Sequence, residues 1–240
     1  LHDQRLDGCV IVHQMPEYFQ DVLCEAQLPT VLLNIKGEAQ HLCIVPDDRG
    51  GAAQITQHLL DLGHRDIAFY QLPLRFQHWS IGERIAGYKD ALRKAGLAAH
   101  AQLIECPADE LAQQLSTHKV SIHKVTGSAQ KRLKQRPTAL IAYSHGDAIE
   151  LMHALWKHGI AVPQELSVAT FNDVYPLEWM TPPLTTVQVP AHDMGWRAGD
   201  MLVNLIEERH RGQIPGEMKH PLITVAEKLI VRGSTAPPPK

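Results

Sequence analysis

Two short polar turns carry the side chains best able to hold a small polar molecule. Ser144, His145, Gly146 and Asp147 interrupt an apolar run at residues 138–143, and Asn172 and Asp173 end a second run at residues 166–171. Hydroxyl, imidazole, carboxamide and carboxylate groups supply both donors and acceptors at these turns. Each run has the length of a buried strand. After the first turn, Ile149, Met152, Leu155 and Trp156 recur at helical spacing up to Gly159, a natural stop. In open parallel sheets, ligands bind beyond the carboxyl ends of strands. The pattern therefore predicts a binding site at two successive strand ends.

The same residues admit a second chemistry. Ala142-Tyr143-Ser144-His145-Gly146 approximates the nucleophile elbow G-x-S-x-G, and Asp173 and His192 follow in the chain order of an α/β serine hydrolase. Against it, the three are only roughly 30 and 20 residues apart and no HGGG-type oxyanion loop occurs. Metal chemistry finds less support among the 15 histidines. His118 and His123, like His153 and His158, are five residues apart, whereas metal-binding helices use i, i+4. No metal and no cofactor is expected, and no enzyme.

Alternation of short apolar runs with helical stripes dominates the elements that must position these groups. Strands are expected at residues 8–12, 30–34, 42–45 and 67–70, with helices near 17–26, over 52–62 and over 81–95. Asp48 is placed to cap the second of these helices. Such repetition implies parallel sheets flanked by helices. No stretch approaches the roughly 18 apolar residues of a membrane helix. The net charge of −3 gives no electrostatic footprint for nucleic acid. Cys9, Cys24, Cys43 and Cys106 follow no metal or disulfide spacing, which suits reduced thiols in the cytoplasm. Residues 111–146 lack acidic side chains and carry Lys119, Lys124, Lys131, Arg132, Lys134 and Arg136. They read as a solvated outer edge or as a nucleic-acid patch. The sequence opens on Leu1, with residues 1–6 like the tail of a helix, so the polypeptide is expected to lack an N-terminal portion. The Pro-rich residues 236–240 are expected to form a disordered tail.

Four segments resemble the effector-binding domain of LacI/GalR-type bacterial transcription regulators: DDRGGAAQITQHLLDLGHRDIAFY (47–70), SIGERIAGYKDALRKAGL (80–97), PTALIAYSHGDAIELMHAL (137–155) and SVATFNDVYPLEWMTPPLTTVQVPAHDMGWRA (167–198). They occur in the family's order along nearly the whole chain, and only about residues 97–136 match poorly. The resemblance implies a two-lobed, periplasmic-binding-protein-like (type I) α/β fold with an incomplete N-terminal lobe and a ligand cleft between the lobes. Residues 1–65 and 190–219 would form the N-terminal lobe, and 66–189 and 220–235 the C-terminal lobe. The implied function is homodimeric, allosteric control of operator DNA by a sugar-like effector. DNA would be read only through a helix-turn-helix that this sequence lacks. An exported sugar-binding protein of a transporter shares the same lobes and is the alternative.

Carried onto this chain, the resemblance makes Arg84 the ligand-contacting arginine, whose planar fork of donors can grip paired oxygens. Arg84→Ala is expected to weaken effector affinity with little loss of fold. Ser80, one turn earlier, is expected to reach the cleft or cap the helix, and Trp79 to stack on a sugar ring, pack in the core or anchor at the surface. Asn172 stands where the family commonly has an aspartate, and Asp173 is expected to be structural. Ser144 is expected to face the cleft, while Asp147 takes over helix capping. The apolar stretch 177–180 is a candidate for either a dimer interface or the core.

Overall fold

The structure, a computed structural model, describes residues 6–12, 28–37, 41–73, 78–117, 136–212 and 222–239. In chain order the elements are β1 (Cys9–Val12), β2 (Thr30–Leu33), β3 (Leu42–Pro46), α1 (Asp48–Asp61), β4 (Ile67–Gln71), α2 (Ser80–Lys94), β5 (Gln102–Glu105), α3 (Ala108–Ser116), β6 (Ala139–Ala142), α4 (His145–Lys157), β7 (Ser167–Phe171), β8 (Thr185–Gln188), α5 (Ala191–His210), β9 (Leu222–Val225) and β10 (Lys228–Ile230). The helix expected near 17–26, nearly all of the helical tail expected at 1–6, and the basic residues 119–134 lie outside the described residues.

The chain divides into two compact units, Leu1–Asp47 with Pro190–Ala226, and Asp48–Val189 with Glu227–Lys240. The first unit holds a sheet of order β1-β2-β3-β9, parallel throughout. Helix α5 packs on β1, β2 and β3; its Met194, Ala198 and Leu205 are buried, as are Val31, Leu32, Ile44 and Val45 of the strands. Gly8 lets this packing close up, because a Cβ there would lie 2.8 Å from the Leu202 side chain and 3.0 Å from the Pro29 carbonyl oxygen.

The second unit holds a sheet of order β10-β8-β7-β6-β4-β5, with only β10 antiparallel to its neighbour. Its central strands β4, β6 and β7 are buried on both faces, as parallel strands between helices must be. Ala68 and Tyr70 of β4 point into one core with Leu111 and Leu115 of α3 and Leu151 and Leu155 of α4. Ile67 and Phe69 point into the other, with Ile55 and Leu59 of α1 and Tyr88 and Leu92 of α2. The helices that follow the neighbouring strands β4 and β6 thus cover opposite faces. Their carboxyl ends therefore form a topological switch point, the place where open α/β sheets bind ligands.

Three expected boundaries differ from the observed ones. Helix α1 belongs to the second unit rather than the first, because Ala52, Ile55 and Leu59 are buried against α2 and β4. Residues 220–235, expected in the C-terminal lobe, are divided, with β9 extending the first sheet and β10 the second. Ala236, the first residue of the expected tail, is held in place. The Ala236 N–H donates to Ser167 Oγ at 3.1 Å, and its carbonyl takes the buried His64 Nε2–H at 2.8 Å. Upstream of it, Ser234 donates to the Val168 carbonyl at 2.6 Å and accepts from the Thr185 N–H at 2.8 Å. Hydrogen bonds, not hydrophobic burial, hold residues 234–236 at the start of the Pro-rich end.

The thiols of Cys9, Cys43 and Cys106 are free. Burial pushes the Cys106 thiol up to about 12, so it stays protonated and inert.

Candidate functional site

Everything at the candidate site hangs on Arg84, in the second turn of α2 and only 4% exposed. Its Nε–H donates to Asp48 Oδ1 at 2.6 Å, Nη1 to the Tyr143 carbonyl oxygen at 2.6 Å, and Nη2 to Asn172 Oδ1 at 3.2 Å. The planar guanidinium lies 4.3 Å from the Phe171 ring centroid and 5.1 Å from that of Tyr143. One cation thereby joins the start of α1, the loop after β6 and the loop after β7. Those two loops leave the carboxyl ends of the adjacent strands β6 and β7, and α2, which carries Arg84, follows β4 across the switch point.

Asn172 follows β7 with φ of 66°, the left-handed region that asparagine tolerates better than most residues. Its N–H donates to the Val187 carbonyl oxygen at 2.9 Å, so the turn is tied to β8. Asp48 is 1% exposed in the first turn of α1. Its carboxylate neutralises Arg84, so the buried cation is paired, as a charge in a dry site must be.

A second chain of bonds runs along the rim. His78 Nδ1 and Ser80 Oγ are 2.7 Å apart, and Ser80 Oγ and the Tyr143 hydroxyl 3.0 Å apart. Ser80 is buried at the start of α2, Tyr143 partly so. Arg84, Ser80 and Asn172, three residues read from the sequence, thus meet in one network with Asp48, Tyr143 and His78.

Residues 56–235 match the family model for the periplasmic binding protein-like domain. The chain belongs to this family. The periplasmic binding protein-like chain is 27% identical over 231 residues to the HTH-type transcriptional repressor PurR of Vibrio campbellii, covering 93% of the chain and 64% of the repressor. It is 28% identical over 212 residues to the arabinose metabolism transcriptional repressor of Geobacillus stearothermophilus, covering 87% of the chain and 54% of that protein. Among solved structures, a LacI family transcriptional regulator from Enterococcus faecium with bound ribose superposes with a TM-score of 0.75 at 21% identity, covering 98% of the chain and 81% of that one. The transcription regulator GntR of Chromobacterium violaceum gives 0.71 at 28% identity, covering 98% and 80%. The resemblance to LacI/GalR-type regulators and the fold it implies are borne out. The chain spans just under two thirds of the length of the PurR repressor it matches.

Within this periplasmic binding protein-like chain, the remaining candidates take other partners. Ser144 is the N-cap of α4, accepting from the Asp147 N–H at 3.3 Å and donating its proton to Asp147 Oδ2. Asp147 was expected to do the capping. Instead it is the buried partner of the cap, and its Oδ1 takes the Leu72 N–H at 2.6 Å. A nucleophilic serine would hand its proton to a base such as histidine, whereas this one faces a carboxylate. Asp173 is gripped through both oxygens by Arg232, at 2.6 and 3.0 Å, the structural role expected of it. Trp79 precedes α2 with its ring 5.6 Å from that of His78, at the edge of the network rather than in the core.

Sequence reasoning read Asp48 only as a cap and passed over Tyr143 and His78. The acidic pair Asp47-Asp48 between a strand end and Gly50-Gly51 was the available signal for the first. A tyrosine directly after an apolar strand was the signal for the second. Among the described residues no group of three or more His, Cys, Asp or Glu is placed to hold a metal ion, and no helix is long and apolar enough to cross a membrane.

Proposed function

We propose that this chain is the effector-binding and dimerisation part of a LacI/GalR-type repressor. It senses a small sugar or related metabolite in the cytoplasm and controls DNA binding allosterically. The observation that carries the reading is the convergence of Arg84, Asp48, Asn172 and Tyr143 on one carboxyl edge of a parallel sheet. A bidentate-capable cation beside amide and hydroxyl groups suits a polyhydroxylated molecule. The repressor names of the relatives support a regulator over an exported transporter component or a hydrolase. Sensing needs no bond to break. A ligand that prefers one of two protein states by about 1–3 kcal/mol is enough to couple two sites.

The chain acts as a homodimer in this proposal, because paired DNA-reading heads must match paired half-sites. On the second unit, an apolar groove of about 410 Å³ runs along α4 between Ile149, Met152, Trp156, Val162 and Met180. Trp156 and Trp179 stand 76% and 73% exposed, while Leu177 beside Trp179 is buried. The stretch 177–180 thus contributes to the core and to this surface at once. Aromatic groups on an apolar surface are what self-association buries.

The experiment joins the chain to the helix-turn-helix and hinge of a PurR-type repressor and measures operator affinity with and without sugars that raise its melting temperature. A change of about fivefold or more is expected. Binding of a sugar with operator affinity unchanged would remove the allosteric reading.

A further inference from the structure

Helix α2 is capped through a ring nitrogen. Trp79, which immediately precedes the helix, makes no capping bond with its side chain. His78 takes that role. Its carbonyl oxygen accepts the Ile81 N–H at 3.1 Å, and its Nδ1 accepts the Ser80 N–H at 3.3 Å. Such N–H groups are the ones that the first turn of a helix leaves without partners. The usual capping side chains accept at any pH near neutrality, whereas an imidazole nitrogen accepts only while it carries no proton.

The cap also sets the hydrogens next to it. With Nδ1 an acceptor, the ring is neutral and its proton is on Nε2. The Ser80 hydroxyl must then donate to Nδ1 at 2.7 Å, which leaves Ser80 Oγ to accept the Tyr143 proton at 3.0 Å. Both hydroxyl protons point one way, from Tyr143 toward His78, through a serine that is 3% exposed.

We propose that His78 is a proton switch that sets the direction of this chain. A proton taken from solvent onto Nδ1 turns the acceptor into a donor, and the Ser80 N–H loses its partner. Nδ1–H then donates to Ser80 Oγ, the Ser80 hydroxyl turns to donate to Tyr143, and the Tyr143 proton points out of the chain. Both hydroxyls keep their protons throughout. The positive end of the α2 dipole opposes the imidazolium, and so does the Arg84 cation, which holds the Tyr143 carbonyl and is itself balanced by Asp48. Glu83 in the first turn of α2 and the Trp79 ring, 5.6 Å away, favour it. On the effector reading given above, acid reverses the hydrogen-bonding polarity at one point of the binding edge. The switch itself does not depend on that reading.

NMR of the chain without ligand tests this. The probes are the His78 ring nitrogens, the Ser80 amide and the Tyr143 Cζ carbon, with the His78 and Tyr143 signals assigned by their loss in His78→Ala and Tyr143→Phe. At about pH 8 the His78 proton should be on Nε2. As pH falls through about 6.5 toward about 5, the Ser80 amide should lose about fivefold of its protection from hydrogen exchange relative to an unstructured chain at the same pH, as loss of a helix cap does. The Tyr143 Cζ signal should shift in step. His78→Asn, whose side-chain oxygen accepts from the N–H two residues on without titrating, should keep both signals flat. A proton on Nδ1 at the higher pH, or Ser80 protection as constant in the parent as in His78→Asn, overturns the switch. A titrating Ser80 amide beside an unmoved Tyr143 overturns the reversal of the chain. No effector is present, so these results leave the effector reading standing; that reading fails instead on the operator measurement above.

Discussion

Arg84 and Asp48 form a buried ion pair, Nε to Oδ1 at 2.6 Å, with side chains 5% and 0% exposed. They come from two helices, α2 and α1, whose packed surfaces form one of the two cores of the second unit. The pair is thus both part of the candidate site and part of the framework beneath it.

That double role changes what Arg84→Ala should do. The sequence alone suggests lost affinity with little loss of fold. Removing the guanidinium leaves Asp48 buried without its cation, which costs about 3–5 kcal/mol. Chemical denaturation of Arg84→Ala should show this loss, and Asp48→Asn combined with Arg84→Met should recover most of it. Effector binding should stay lost in both, as calorimetry will show. An Arg84→Ala chain as stable as the parent would mean that Asp48 has other adequate partners.

Two glycines of α2 should respond oppositely to alanine. A Cβ on Gly87 would be driven into the Arg49 carbonyl oxygen and lie 2.9 Å from Ala52 Cβ, across the α1–α2 contact. Gly87→Ala should lose about 1–3 kcal/mol. Gly82 has nothing within 4 Å of such a Cβ, and Gly82→Ala should gain up to about 1 kcal/mol. Melting temperatures of the two variants measured side by side decide it.

Acid should loosen the C-terminal strap. Burial holds the His64 imidazole below its ordinary range, with the Ala236 carbonyl opposing that shift, and burial lowers His58 as well. The unfolded chain therefore takes up protons first as pH falls below about 6.5. Stability is full above that value and declines as pH falls toward the lower folded pKa. Asp90, held below the usual carboxylate range by Arg49, acts only at still lower pH. Melting temperature should drop between about pH 7 and about pH 5, and His64→Gln should flatten the drop. An unchanged slope in that variant would assign the effect elsewhere.

The tryptophan surface should hold copies together. Light scattering should give twice the chain mass for the parent, and one chain mass for Trp156→Glu with Trp179→Glu. The melting temperature at low concentration should be unaffected, since neither ring is part of the core. A parent that remains monomeric at high micromolar concentration would remove this surface from the dimer.

Ser144→Ala separates capping from catalysis. Loss of the N-cap should cost about 1 kcal/mol, read by chemical denaturation. Esterase activity that the parent shows and the variant lacks would revive the hydrolase reading.

The sequence by itself determined many of the elements and three residues of the candidate site. Apolar runs, helical stripes and Gly stops give strand and helix positions to within a residue or two for β3, β4, β6, β7, α2 and α4, because short-range periodicity is sufficient for them. Four motifs in order placed the chain in its family and pointed to Arg84, Ser80 and Asn172. What only the tertiary structure decided is pairing over long separations. Helix α1 joins the second unit because its apolar stripe meets α2, a choice of neighbour that its own periodicity does not encode. Ser234 and Ala236 are held in place because Val168, Ser167 and His64, far away in the chain, satisfy their backbone groups. Asp48 changed from a cap to the partner of Arg84 for the same reason. A side chain with several local roles open to it takes the one that pairs a buried charge, and which charge lies within reach is a property of the folded chain.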